Sequence, residues 1–191
     1  MKKLFALFSF AAVIVFLSGC ITTKTIKYTE ALQVSENTPL YTAYNIWYEI
    51  PWNISSINYH KGKIIPFGSA VKIVSVENDT ITFKRLSNGR EYSITYQEKY
   101  GLKPTEEFLK ILFTTRTKQD LSKDLPAEHI KKIEKGLIEK GFTRKEVELA
   151  FGPPSPHRTP LKEGNTWIYW KSRFNTMRVI FKKNKVEDII D

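Results

Sequence analysis

Gly141-Phe142-Thr143-Arg144-Lys145-Glu146-Val147, continued by Ala150-Phe151-Gly152-Pro153-Pro154, decides the fold of the C-terminal half of this 191-residue chain. Thr143 and Glu146 have the spacing of a capping box: the threonine oxygen accepts from the amide three residues on, and the glutamate reaches back to the threonine amide. Phe142 and Val147 sit where a hydrophobic staple closes over such a cap. Val147, Ala150 and Phe151 carry an apolar face until Gly152-Pro153-Pro154 stops the helix, because proline lacks the amide and clashes with the preceding turn. Upstream, Pro126 suits a first helical turn, where the amide it lacks would be unpaired anyway. Ile130, Ile133 and Leu137 recur on one face, and Gly141 is expected to supply the left-handed stop. Two helices joined this tightly predict a helical hairpin. Beyond it, Trp167-Ile168-Tyr169-Trp170, Met177-Arg178-Val179-Ile180-Phe181 and residues 186–190 predict three strands. The last two meet at Lys183-Asn184, where Asn tolerates positive φ.

Toward the N-terminus the composition changes. Residues 41–100 are rich in aromatic and β-branched side chains cut by turn signals. Residues 45–50 and 54–59 are expected as strands around a Pro51-Trp52-Asn53 break. Residues 71–76 and 80–84 follow, separated by Glu77-Asn78-Asp79. Ser87-Asn88-Gly89 marks a tight hairpin, since Asn-Gly tolerates the φ values such a turn demands, and Tyr92, Ile94 and Tyr96 then share one face by strand alternation. Five short strands predict a small β-barrel. Pro66-Phe67-Gly68 leading to Val71 is similar to bacterial SH3-like modules, whose grooves are lined by aromatics such as Trp47, Tyr48 and Trp52; these residues equally suit a small β core.

The N-terminus carries a separate message. Lys2 and Lys3 precede an uncharged run over residues 4–17 that is too short to span a bilayer, which takes roughly 20 residues, and suits a signal-peptide core. Leu17-Ser18-Gly19-Cys20 ends it and looks like the lipobox of bacterial lipoproteins. The resemblance implies cleavage between Gly19 and Cys20 and diacylglycerol on the Cys20 thiol. Several acyl chains make such attachment effectively permanent, and the only cysteine is consumed, leaving no thiol for a disulfide or metal. Residues 20–35 are expected as a lipidated tether. Ile21 lacks the acidic signal that, by analogy with enteric bacteria, retains lipoproteins in the inner membrane, so the outer membrane is favoured in a two-membrane source. The net charge of +10, or +8 once Lys2 and Lys3 leave, then points to anionic headgroups or acidic protein surfaces rather than nucleic acid.

Residues 126–190 together resemble the SmpA/OmlA (BamE-like) lipoprotein domain, through the Gly141–Val147 motif, the Phe151–Pro154 stop, Trp167-x-Tyr169 and Val179-x-Phe181 before Asn184-Lys185-Val186. That resemblance implies an α+β plan of a helical hairpin on a three-stranded antiparallel sheet, over residues 104–191, behind an SH3-like β domain over 36–103. The family usually has Gly-Met-Thr where this chain has Gly141-Phe142-Thr143, and its minimal member lacks the β module. The function implied is a non-catalytic envelope adaptor that binds another envelope protein. The alternative is a sensor whose SH3-like module grips cell-wall material or a peptide.

Catalysis lacks its parts in the sequence. His60, His129 and His157 are far apart, and His129, on a Lys-rich helix, is expected in solvent. No metal-ligand, nucleophile-elbow or phosphate-loop motif occurs, Glu187 and Asp188 would face opposite ways on a strand, and no cofactor or metal is expected. The binding candidate is the stiff loop Pro153-Pro154-Ser155-Pro156-His157-Arg158-Thr159-Pro160 with the adjoining strand. His157, Arg158, Trp167, Tyr169 and Trp170 are its contact residues, Arg158 the expected anchor. Alternation puts Trp167 and Tyr169 on one face and Ile168 and Trp170 on the other, one pair in the core.

Overall fold

The computed structural model describes residues 23–191; the signal segment, Gly19 and Cys20 lie outside them. Within that span the chain is an α+β protein with a curled six-stranded sheet forming a half-barrel, several helices and a three-stranded sheet.

Among the described residues, Lys24 is already tied to the body. Its N–H donates to the Asn78 side-chain oxygen (2.9 Å) and its carbonyl accepts from the Asn78 N–H (2.7 Å), while the Ile26 N–H donates to the Val76 carbonyl (2.9 Å). Ile26 is buried, and α1 (Tyr28–Leu32) packs its Tyr28, Ala31 and Leu32 against the same core. The expected tether is therefore mostly folded body: its apolar residues have a core to enter.

Strands β1 (Leu40–Thr42), β2 (Ile46–Tyr48), β3 (Ile54–Ser55), β4 (Lys63–Ile65), β5 (Ala70–Glu77), β6 (Thr80–Arg85) and β7 (Glu91–Thr95) follow, then α2 (Glu98–Gly101), α3 (Thr105–Leu112) and β8 (Phe113–Thr114). The meander β5–β6–β7 is antiparallel. Asn78 supplies positive φ (53°) in its first turn, and Gly89 (φ 65°) donates back to the Arg85 carbonyl in its second. That second loop is longer than a two-residue Asn-Gly turn. A bulge between Ile73 and Ser75 shifts the alternation of β5, so that Val71, Ile73 and Val76 all point inward while Val74 is exposed. The rest of the sheet is non-local. β1 lies between β5 and β8, and β3 runs parallel to β7, giving the order β3-β7-β6-β5-β1-β8. Segment 105–114, grouped by composition with the C-terminal half, thus completes this first core through Phe108, Leu109, Leu112 and Phe113.

β2 departs from expectation. It pairs not with the six-stranded sheet but with β4 as a two-stranded ribbon. Ile46 and Tyr48 enter the first core, whereas Trp47, pointing the other way, packs against the second. The ribbon is shared between the halves.

The second core is built by α4 (Lys118–Ser122), α5 (Ala127–Glu134), α6 (Arg144–Phe151) and strands β9 (Thr166–Trp170), β10 (Thr176–Lys182) and β11 (Lys185–Ile190), in the antiparallel order β11-β10-β9. The capping box on α6 is formed: the Thr143 N–H donates to Glu146 Oε2 (2.6 Å) and the Glu146 N–H to Thr143 Oγ1 (3.3 Å). Lys183 and Asn184 both have positive φ (49° and 63°), as a two-residue turn between β10 and β11 requires. α5, however, ends at Glu134, with the left-handed stop at Gly136 (φ 67°) rather than Gly141, and Leu137 is exposed. Packing explains the early stop. A Cβ on residue 136 would collide with the Trp47 ring, so glycine there lets the ribbon approach the helix end.

Candidate functional site

Two buried asparagines lock the halves together. Asn45 donates from Nδ2 to the Ile133 carbonyl at the end of α5 (2.5 Å) and accepts at Oδ1 from the Phe67 N–H (2.9 Å); its own N–H donates to the Leu149 carbonyl (2.9 Å). Asn58 donates to the Phe151 carbonyl (2.8 Å) and accepts from the Trp47 N–H (2.8 Å). Each of these bonds satisfies a buried or half-buried backbone group, and the Ile133 carbonyl accepts from the Gly136 N–H (2.8 Å) as well. His60 lies in the same seam, its ring 4.0 Å from that of Phe151 and about 5.5 Å from those of Tyr169 and Trp47. Both ring nitrogens are buried without a hydrogen-bond partner. Burial drives its pKa down to about 4, so the imidazole is neutral near pH 7.

Beside the seam the surface opens into a cleft of about 710 Å³, within the range of roughly 300–1,000 Å³ usual for ligand sites. One wall is α3 and its flanks, with Phe108 and Ile111 between Lys103 and Arg116. The opposite wall is Glu148 and Leu149 of α6 and the proline loop. Tyr44, Ser56 and Asn58 lie between, with Tyr96 and Tyr100 also lining the space. Gly152 (φ 79°) belongs to this wall: a Cβ there would stand 2.8 Å from the Tyr44 ring. Burial pushes the Tyr44 and Tyr96 phenols up from their ordinary range, so neither brings negative charge into the cleft.

The proline loop divides between two surfaces. Pro153, Pro154, Ser155, Pro156 and Thr159 line the cleft, and the loop is pinned by Ser155 Oγ donating to the Tyr100 carbonyl (3.0 Å) and by Thr159 Oγ1 accepting from the Ile168 N–H (3.0 Å). His157 and Arg158 are not among the lining residues; both are exposed, Arg158 with its guanidinium 5.3 Å from the Trp170 ring and His157 edge-on to Tyr100 at 5.5 Å. Trp167 and Tyr169 are the core pair, 0% and 4% exposed. They are corrected as contact residues, because their strand must turn one face onto α6. The Tyr169 hydroxyl donates to the Gly152 carbonyl (3.0 Å) and thereby holds the root of the loop.

His129 also differs from expectation. It is half-buried, stacked on Phe142 (4.4 Å), with Nδ1 2.5 Å from Glu146 Oε1. Burial pushes the Glu146 carboxyl up, but the Thr143 amide, the His129 ring and the Thr143 hydroxyl outweigh it and hold the group below its ordinary value. The imidazole and carboxylate brace a helix start. Arg144 braces it further, with its guanidinium 4.3 Å from the Phe181 ring and bonds to the Lys162 and Gly164 carbonyls (3.0 and 2.9 Å).

Sequence reasoning missed the cleft, since Tyr44, Phe108, Ile111 and Arg116 meet the proline loop only through the tertiary fold. The loop itself was legible. Among the described residues no three His, Cys, Asp or Glu side chains cluster as a metal site, and no helix is long and apolar enough to cross a membrane. No family model, curated protein or solved structure matches the chain.

Proposed function

We propose that this chain is a lipid-anchored protein of the bacterial cell envelope that acts without catalysis, docking a second envelope protein in the cleft between its halves. The observation that carries the proposal is the cleft itself, whose walls come from both halves and include a loop stiffened by prolines, which loses little entropy when a partner seats against it. The anchor rests on the Leu17-Ser18-Gly19-Cys20 signal. Lys24 is bonded to the body, and the four steps from Cys20 to it span at most about 14 Å, holding the body close to the headgroups. In a two-membrane bacterium we place it on the outer membrane, facing the periplasm.

We read α5 and α6 on the three-stranded sheet as the helical hairpin of the SmpA/OmlA (BamE-like) plan, and the curled sheet as an enlarged SH3-like module. The capping box, the Lys183-Asn184 turn and the strand order support the first assignment. A second reading, a sensor for cell-wall material or a peptide, draws on Tyr96 and Tyr100, aromatics of the first half that line the same cleft.

Two measurements test the docking role. Mass spectrometry of the native protein is expected to find a lipid-modified N-terminal Cys20; an unmodified Cys20 or a retained Met1 removes the anchor. A photoreactive amino acid at Ile111 or Pro156 is expected to crosslink one discrete envelope protein in living cells, and at Leu86, exposed and not among the residues that line the cleft, none. Equal yields from all three positions would place the contact elsewhere, and retention of purified peptidoglycan instead would favour the sensor.

A further inference from the structure

The charge in the cleft is not evenly laid. α3 forms one wall, and at 1.5 Å per residue its eight residues run about 12 Å. Phe108 and Ile111 of α3 line the cleft, and so do the exposed cations Lys103, two residues before the helix, and Arg116, four residues after it. Lys145, across the cleft on α6, is also exposed and donates to the Lys123 carbonyl (3.3 Å), as Arg116 does to the Asp120 carbonyl (3.0 Å). Neither Lys103, Arg116 nor Lys145 has a carboxylate within salt-bridge distance among the described residues. Of the two acidic residues that line the cleft, Glu148 is already paired with Lys162. The wall is therefore apolar in the middle and positive at both ends.

From this pattern we infer that the cleft recognises an extended peptide segment of its partner in which acidic residues flank a short apolar stretch. The apolar side chains lie against Phe108 and Ile111 and the facing prolines, and the flanking carboxylates meet Lys103 at one end and Arg116, with Lys145, at the other. At about 3.3 Å per residue, four extended residues cover the 12 Å of wall, so the acidic positions are expected four or more residues apart. The space suits a peptide better than an acyl chain. Its apolar surface is interrupted by the half-buried hydroxyls of Ser56, which accepts from the Gln97 N–H and keeps a proton to donate, and Ser155, which donates to the Tyr100 carbonyl and keeps a lone pair. A main chain can hydrogen-bond both and a hydrocarbon cannot. Aromatic side chains along an open groove are also the surface that extended peptides use elsewhere.

The inference rests on the docking role proposed above, and its test separates the two. Random dodecapeptides displayed on phage are selected against the full-length chain in detergent micelles. The recovered sequences are expected to be enriched in Asp and Glu on either side of Leu, Ile or Phe. The tightest of them, made with a fluorescent label, is expected to lose affinity at least tenfold with Arg116→Glu or Lys103→Glu and to weaken steeply as salt rises. Ile111→Arg, which fills the apolar middle, is expected to abolish binding, and Arg178→Glu, on an exposed position of β10, to change it less than twofold. Circular dichroism confirms that each variant is folded. Binders without acidic enrichment, equal affinity for the charge-reversed variants, or displacement by dodecyl phosphate with no peptide recovered would each overturn the inference. If the Ile111 and Pro156 crosslinks in cells persist unchanged in Arg116→Glu and Lys103→Glu, the docking role stands and the acidic recognition fails alone.

Discussion

From Thr143 to Ile190 the order in space follows the order in sequence: a capped helix, a pinned loop, then three strands in an antiparallel meander. From Leu40 to Thr114 they are not. β1 finds its partners at Ala70–Val71 and at Phe113–Thr114, and β3 lies parallel to β7 although three other strands, β4, β5 and β6, separate them in the chain. The first region is specified by local chemistry that any window of the chain displays. The second depends on pairings whose loop closure must be complete before they stabilise anything. The halves nonetheless share a seam, and the candidate site lies along it. One region is thus specified mostly by local signals and the other by its surroundings, and the cleft is where they meet.

The sharpest way to break this contrast is to cut the seam. Asn45→Ala leaves the Phe67 N–H buried without a partner and takes from the Ile133 carbonyl one of its two donors, the Gly136 N–H (2.8 Å) remaining. At about 1–3 kcal/mol for the orphaned amide and about 1 kcal/mol for the other lost bond, the substitution is expected to cost about 2–4 kcal/mol in urea unfolding. A loss below about 1 kcal/mol would mean that the halves barely depend on each other.

Acid is a gentler probe of the same seam. The folded pKa of His60, about 4, lies below its unfolded value near 6.5. Between those values the unfolded chain binds more protons, so stability is full above about pH 6.5 and declines as pH falls toward 4, by at most about 3 kcal/mol. Glu146 adds a loss at lower pH: its depressed carboxyl stabilises the fold above its unfolded pKa and stops doing so as pH falls through the folded one. Urea titrations of wild type and His60→Phe across pH 4–7 check the first term. The variant is expected to show a flatter profile; parallel curves would remove His60 from the account.

Within the C-terminal region alone, Thr143→Ala removes a cap and is expected to cost about 1 kcal/mol, leaving peptide affinity in the cleft unchanged. Arg158→Ala is expected to do least. If the cleft is the contact, affinity for the cleft-selected peptide changes less than twofold. If the outer patch of His157, Arg158 and Trp170 carries binding instead, the crosslinked partner is lost with about 2 kcal/mol of affinity or more, the hot-spot range.

Legibility followed the same divide. Thr143, Glu146, Phe142, Val147 and the Lys183-Asn184 turn could be read because each acts through neighbours within a few residues. The same grammar was present and overlooked at Thr117-x-x-Asp120, which caps α4. What could not be read lay in contacts between distant segments. Gly136 rather than Gly141 ends α5 because Trp47 needs the room. Residues 24–32 fold because Val76 and Asn78 offer them partners. Trp47 leaves its own sheet's core because β2 pairs with β4. The proline loop was recognisable as a stiff element, but which of its faces meets a cleft depends on Tyr44 and α3, far away in the chain.

The Asn45 and Asn58 seam makes one body of two differently specified halves and so fixes the walls of the cleft. Hydrogen exchange by mass spectrometry across a urea series tests it most directly, comparing peptides covering residues 80–95 with peptides covering 166–181. Both are expected to lose protection at one midpoint, and Asn45→Ala to pull the two apart. Full protection of 166–181 in wild type at urea concentrations where 80–95 already exchanges freely would contradict it.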